Sequence, residues 1–228
     1  MANEAGEQAR WADVAPERLA GWLESFGDRH GGTVASAGPA GSAVAVVTFR
    51  AADGAVAECH LPFPPLPAGG AAPPGAAEIA AHARADRTVG VLLVRLGGYA
   101  AGVFTGEPPR LAASKVGSRL VHGRSAAGGT SQHRFARRRE KQASEALGAA
   151  ADTAAAIFAP YAGQLDAVVL GGDRRAVAGV REDPRVRPYI ELAVERFLTV
   201  PDPRLVVLRG TPRLFRAVRI RLTEPSSG

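Results

Sequence analysis

The eight residues from Val89 to Leu96, VGVLLVRL, form the richest apolar run in the chain. A bilayer needs about 20 apolar residues, and this run is shorter and broken by Arg95, so it predicts a buried strand rather than a membrane span. Its neighbours extend the pattern. Gly97-Gly98 predicts a turn, Tyr99 to Phe104 a second strand and Pro109 to Val116 a third. From about Gln132 to Phe158 the spacing of Phe135, Ala143, Leu147, Ala150, Ala154, Ile157 and Phe158 lines one face of a helix, which Pro160 closes. A strand over Leu165 to Leu170, a helix from about Asp173 and a last strand over Ala217 to Leu222 follow. Strands alternating with helices predict an α/β (α+β) layer architecture over roughly Thr88 to Glu224. Pro203 to Phe215 carries no assignable pattern.

The N-terminal part reads differently. Leu19, Trp22, Leu23 and Phe26 share one face of a helix over Pro16 to Arg29. Ser42 to Phe49 and Ala55 to Leu61 read as strands around the turn Asp53-Gly54. Then comes LPFPPLPAGGAAPPG, Leu61 to Gly75, whose proline and glycine predict an extended linker. The expected domains are therefore a helix-plus-hairpin unit with its linker over 1–75 and a larger domain over 76–228, beginning with a short helix near Ala76 to Ala85. With 46% hydrophobic and 22% charged residues in 228, both should be globular. The N-terminus has no apolar signal core, and Cys59, the single cysteine, reads as a small apolar filler. These features predict a cytoplasmic protein without a membrane anchor.

Charge is concentrated in one place. Between Gly117 and Gln142 stand seven bases and one acid, whereas the rest of the chain balances at 21 of each, so the whole net charge of +6 sits in 26 residues. Such a local field draws polyanions, although a solvated basic helix face would look the same. Familiar catalytic spellings are absent: there is no G-x-S-x-G, G-x-x-x-x-G-K, G-x-G-x-x-G or H-E-x-x-H. The five histidines are scattered, so neither a metal site nor a cofactor is expected.

The basic string itself, His122 to Lys141, has three physical parts. Gly128 and Gly129 allow positive φ and close backbone approach. Ser131 is a good N-cap, so a helix starting beside it aims free N–H groups and a positive dipole end at an anion. Arg134, Arg138 and Lys141 share a helix face, with Arg137 beside them. Gln132 does not titrate near neutrality and is no ordinary base, but its amide could orient a water or stabilise an oxyanion. His122 and His133 read equally as surface residues or as RNA contacts. Together these parts suit an ester attached to RNA, with phosphates docking the substrate and the amide acting at the carbonyl.

The string resembles the loop of the middle domain of eukaryotic and archaeal class I release factors, H-G-R-G-G-Q-S-A-L-R-F-A-R-L-R-M-E-K. His122-Gly123-Arg124, Arg134-Phe135-Ala136-Arg137 and Arg139-Glu140-Lys141 match it in order. There the glutamine follows the glycines directly. Here Thr130 and Ser131 intervene, and this Gly129-Thr130-Ser131-Gln132 form is similar to the Vms-like release factors (VLRF), while the short chain resembles their actinobacterial branch. The resemblance implies a release-factor-like mixed sheet flanked by helices and a peptidyl-tRNA hydrolase that frees nascent chains from stalled large ribosomal subunits. It implies Gln132 as the catalytic residue and Gly128 and Gly129 as the loop glycines. His122, Arg124, Thr130, Ser131, His133, Arg134, Arg137, Arg138 and Lys141 would face RNA. The implied partners are the large subunit, peptidyl-tRNA and ribosomal RNA, with the free protein a monomer. The first 80 residues offer no room for codon-reading or GTPase-binding domains, so quality control or rescue is expected rather than stop-codon termination. A non-catalytic ribosome-binding adaptor and a nuclease acting at the tRNA 3′ end are the alternatives.

Overall fold

A computed structural model describes residues 9–37, 44–67, 72–95, 97–118 and 131–225, with 131–140 described by backbone alone. The chain divides into two compact units, residues 1–85 with 213–228 and residues 86–212.

The first unit holds β1 (Arg10–Val14), α1 (Leu19–His30), β2 (Thr33–Ala37), β3 (Val46–Ala51), β4 (Val56–His60), α2 (Ala76–Arg84) and β10 (Val218–Thr223). Its sheet is antiparallel throughout, in the order β1-β10-β4-β3-β2. The expected α1 forms because Leu19, Leu23 and Phe26 bury one stripe, and it stops at Gly31, whose φ of 79° suits a residue without Cβ. The expected Asp53-Gly54 turn also forms. Asp53 Oδ1 accepts a 2.9 Å bond from the Ala55 amide, and this bond, with one from His30, lowers the Asp53 pKa.

Three expectations about this unit are corrected. The Pro/Gly-rich stretch is no free linker at its start: Leu61, Phe63 and Leu66 are buried, and the Leu66 amide bonds the Val44 carbonyl at 2.8 Å. Prolines here bend a segment whose apolar side chains still find a core. The division consequently falls after Ala85 rather than at Gly75, because α2 buries Ile79, Ala80 and Ala83 in the first unit's core. The last strand, expected in the larger domain, pairs instead with β1 and β4. Val218, Ile220 and Leu222 point into the first unit's core while the residues between them do not, the alternation of a sheet covered on one side.

The second unit holds β5 (Val89–Arg95), β6 (Gly98–Thr105), β7 (Arg110–Ser118), α3 (Ser131–Phe158), β8 (Ala167–Gly172), α4 (Arg174–Arg181), α5 (Arg187–Ile190), β9 (Ala193–Leu198) and α6 (Leu205–Arg209). A further short helix, α7 (Pro212–Phe215), starts where the unit ends. The sheet is mixed, as expected: in the order β7-β6-β5-β8-β9, β5, β8 and β9 run parallel and the other pairs antiparallel. Six of the seven β5 residues are buried, so both faces are covered. Ala150, Ala154 and Phe158 of α3 and Val177 and Val180 of α4 share the core on one face. On the other, Leu208 of α6 comes so close that a Cβ on Gly102 would lie 2.9 Å from it. Pro203 to Phe215, which offered no pattern, forms two helices too short to show periodicity.

Candidate functional site

Strand register brings several chain ends to one edge of the second sheet. Val94 of β5 pairs with Gly172 of β8, Gly171 with Leu198 of β9, Arg95 with Gly98, and Gly98 with Ser118 at the end of β7. The carboxyl ends of three parallel strands and the exit of β7 therefore lie side by side, the place where open α/β sheets collect ligands. Between Ser118 and Ser131 runs the predicted basic loop. His122, Arg124, Gly128, Gly129 and Thr130 lie outside the described residues. Ser131, Gln132, His133, Arg134, Arg137 and Arg138 fall in the first turns of α3, and Lys141, on the same helix, is exposed.

The backbone alone places Gln132 second in a 28-residue helix, in the turn whose N–H groups lack intrahelical partners and carry the positive end of the dipole. Positions 134, 137, 138 and 141 fall on one side of α3 by the 3.6-residue repeat. Ser131, expected as the N-cap, is the first helical residue instead.

This helix is mounted at its far end. From residue 141 onward, the first buried side chain of α3 is Ala150. Leu147 fits against Gly179 of α4 so closely that a Cβ there would stand 2.6 Å from it. Asp152 pairs with Arg185, whose Nε also donates to Asp183 at 2.8 Å. That guanidinium holds the Asp183 carboxyl down to about 2.

Sequence reasoning missed what else meets at the edge. Asp173 caps α4, its Oδ1 accepting from the Ala176 amide at 2.8 Å, while its own amide donates to the Val94 carbonyl at 2.8 Å. Gly171 and Gly172, read as a turn, end β8 itself. A Cβ would lie 2.7 Å from the Leu198 carbonyl oxygen at Gly171 and 2.2 Å from the Val94 carbonyl oxygen at Gly172, which also has a φ of 104°. Arg174 lies 4.5 Å over the Phe197 ring, and Arg95 Nη1 donates to the Val200 carbonyl at 2.8 Å. Two further cations thus join this edge from residues distant in sequence, and only parallel pairing brings them there.

The family described as Actinobacteria/chloroflexi VLRF1 release factor, acVLRF1, matches residues 87–221, the second unit and most of β10. Among solved structures, the archaeal translation termination factor aRF1 superposes with a TM-score of 0.43 at 13% identity, over 74% of this chain and 51% of that one. An archaeal protein gives a TM-score of 0.38 at 13% identity, over 71% of this chain and 47% of that one. The Vms1 mitochondrial localization core gives 0.37 at 10% identity, over 76% and 75%. The chain thus spans about half the length of the archaeal factor. No curated protein matches the sequence. The chain belongs to the Actinobacteria/Chloroflexi VLRF1 release-factor family.

Proposed function

We propose that this protein is a peptidyl-tRNA hydrolase that releases nascent chains from stalled large ribosomal subunits in the cytoplasm. The observation that carries the reading is the place of Gln132, in the first turn of a firmly mounted helix that follows the basic glycine-containing segment in a member of a release-factor family. In the reaction, water adds to the ester carbonyl and the tRNA 3′ oxygen leaves with a proton, giving a free peptide acid and an intact tRNA end. Gln132 cannot take a proton near neutrality, so its part is to orient water and donate to the developing oxyanion. The helix dipole favours the same charge. The cations at positions 134, 137, 138 and 141 dock phosphates of tRNA and ribosomal RNA, which supply the remaining surroundings. The free protein acts as a monomer.

The test adds wild-type protein and Gln132→Ala to purified large subunits carrying peptidyl-tRNA, following peptide and tRNA together. Wild type should give free peptide and tRNA with its 3′ end whole, and the variant should be roughly 10²–10³ slower while binding as before. Equal release by the variant overturns the role of Gln132. A shortened tRNA identifies a nuclease instead, and intact peptidyl-tRNA on subunits that bind the protein identifies an adaptor.

A further inference from the structure

The first unit leaves one face of its sheet open. Along β10, Val218, Ile220 and Leu222 are buried while Arg219 is exposed and Arg221 half-buried. The same alternation runs through β4 and β3, where Ala57, Cys59, Val47 and Phe49 turn inward and Glu58, His60, Thr48 and Arg50 outward. Among the described residues, no outward side chain of the five strands is buried.

On this face stands a group of flat side chains drawn from three strands. Trp11 of β1 is 48% exposed, unusual for the largest apolar side chain. The Arg219 guanidinium lies 4.5 Å over its ring, and the His60 imidazole lies 5.1 Å from it at a tilt of 54°. Arg221, the register partner of Trp11, donates to Glu58 at 3.0 Å. Arg50 and Arg219 are the other two cations of the face, and Asp13 stands opposite Arg219 as its register partner. An indole, an imidazole and a guanidinium on a pleated surface offer π-faces for a base and cations for its phosphates. The antiparallel strands hold them about 4.8 Å apart from strand to strand. Sheets that read single-stranded RNA do so by stacking unpaired bases on such side chains. An aliphatic partner surface would use neither the guanidinium stack nor the imidazole.

We propose that the open sheet face of the first unit binds single-stranded RNA, a base stacking at Trp11 and its phosphates meeting Arg219 and Arg50. The proposal does not depend on what Gln132 does. Because α3 also carries cations, the experiment reads Trp11 itself. In the full chain with Trp22→Phe, Trp11 is the sole tryptophan, and a single-stranded RNA oligonucleotide about ten nucleotides long is titrated against its emission. Saturable quenching is expected. Adding Arg219→Gln should weaken it several-fold. In the wild-type background, Trp11→Ala should weaken RNA binding by roughly tenfold or more at unchanged melting temperature, and Trp11→Phe should restore most of it. RNA binding without quenching, quenching indifferent to Arg219→Gln, or equal affinity of Trp11→Ala and Trp11→Phe each overturn the proposal. Quenching by large subunits but not by free RNA overturns single-stranded RNA as the occupant.

Discussion

Strands β5 and β10 lie in two sheets of five strands each, yet they are buried by different rules. Six of seven residues of β5 are buried without alternation, whereas β10 alternates buried with exposed or half-buried positions. The difference follows from what covers them. Helices on both faces enclose the second unit's sheet, so a ligand can reach only its edges and the segments that spring from them. Its helix α3 runs 28 residues, about 42 Å at 1.5 Å each, and from residue 141 onward its buried side chains begin at Ala150. The first unit covers one face with α1 and α2 and leaves the other to solvent, so any recognition there uses a surface rather than a tip.

The comparison can be broken at several points. If the inward face of the first unit is as dry as the core of the second, Cys59 should be nearly inert, since burial pushes its thiol up to about 12. At pH 8 its thiolate fraction is then about 10⁻⁴, so alkylation should run about 10³-fold slower than in the denatured chain. Native and denatured rates within tenfold of each other would mean that water reaches that face. Phe158→Ala empties a fully buried ring site between Tyr189 and Gly90. It should cost about 3–5 kcal/mol in denaturant unfolding of the second unit, and a loss below about 1 kcal/mol would contradict a core closed on that face. Gly171→Ala forces a Cβ to within 2.7 Å of the Leu198 carbonyl oxygen and should cost about 1–3 kcal/mol. An unchanged melting temperature would show that β8 and β9 can separate freely. At the small end stands Val34→Thr, 75% exposed on β2, with an expected change within about 0.5 kcal/mol. A larger loss would mean that the open face is covered there.

Much of this was legible before any coordinates. The unalternating apolar residues from Val89 to Val94 gave a strand buried on both sides, and the stripe from Leu147 to Phe158 gave the packed part of α3. Asp53-Gly54 gave its turn because few residues reach a φ of 94° as glycine does. The family too was legible, through the residues flanking Gln132. Strands β1 and β2 were not, because RWADV and TVASA are short, half-polar and at the sheet edges, where little burial marks the sequence.

What the sequence determined by itself is local: where backbone periodicity buries a face, where a turn must form, and where charge gathers around Gln132. The tertiary structure alone decided partnership. Periodicity records that a side chain is buried and is silent about what buries it, so β10 looked like a strand of the nearer unit. It pairs instead with Cys59 and its neighbours, about 160 residues earlier in the chain. Arg95 and Arg174 likewise share an edge only because parallel pairing sets β5 beside β8. Such long-range choices come from the complementarity of whole faces, a property that no stretch of sequence carries alone.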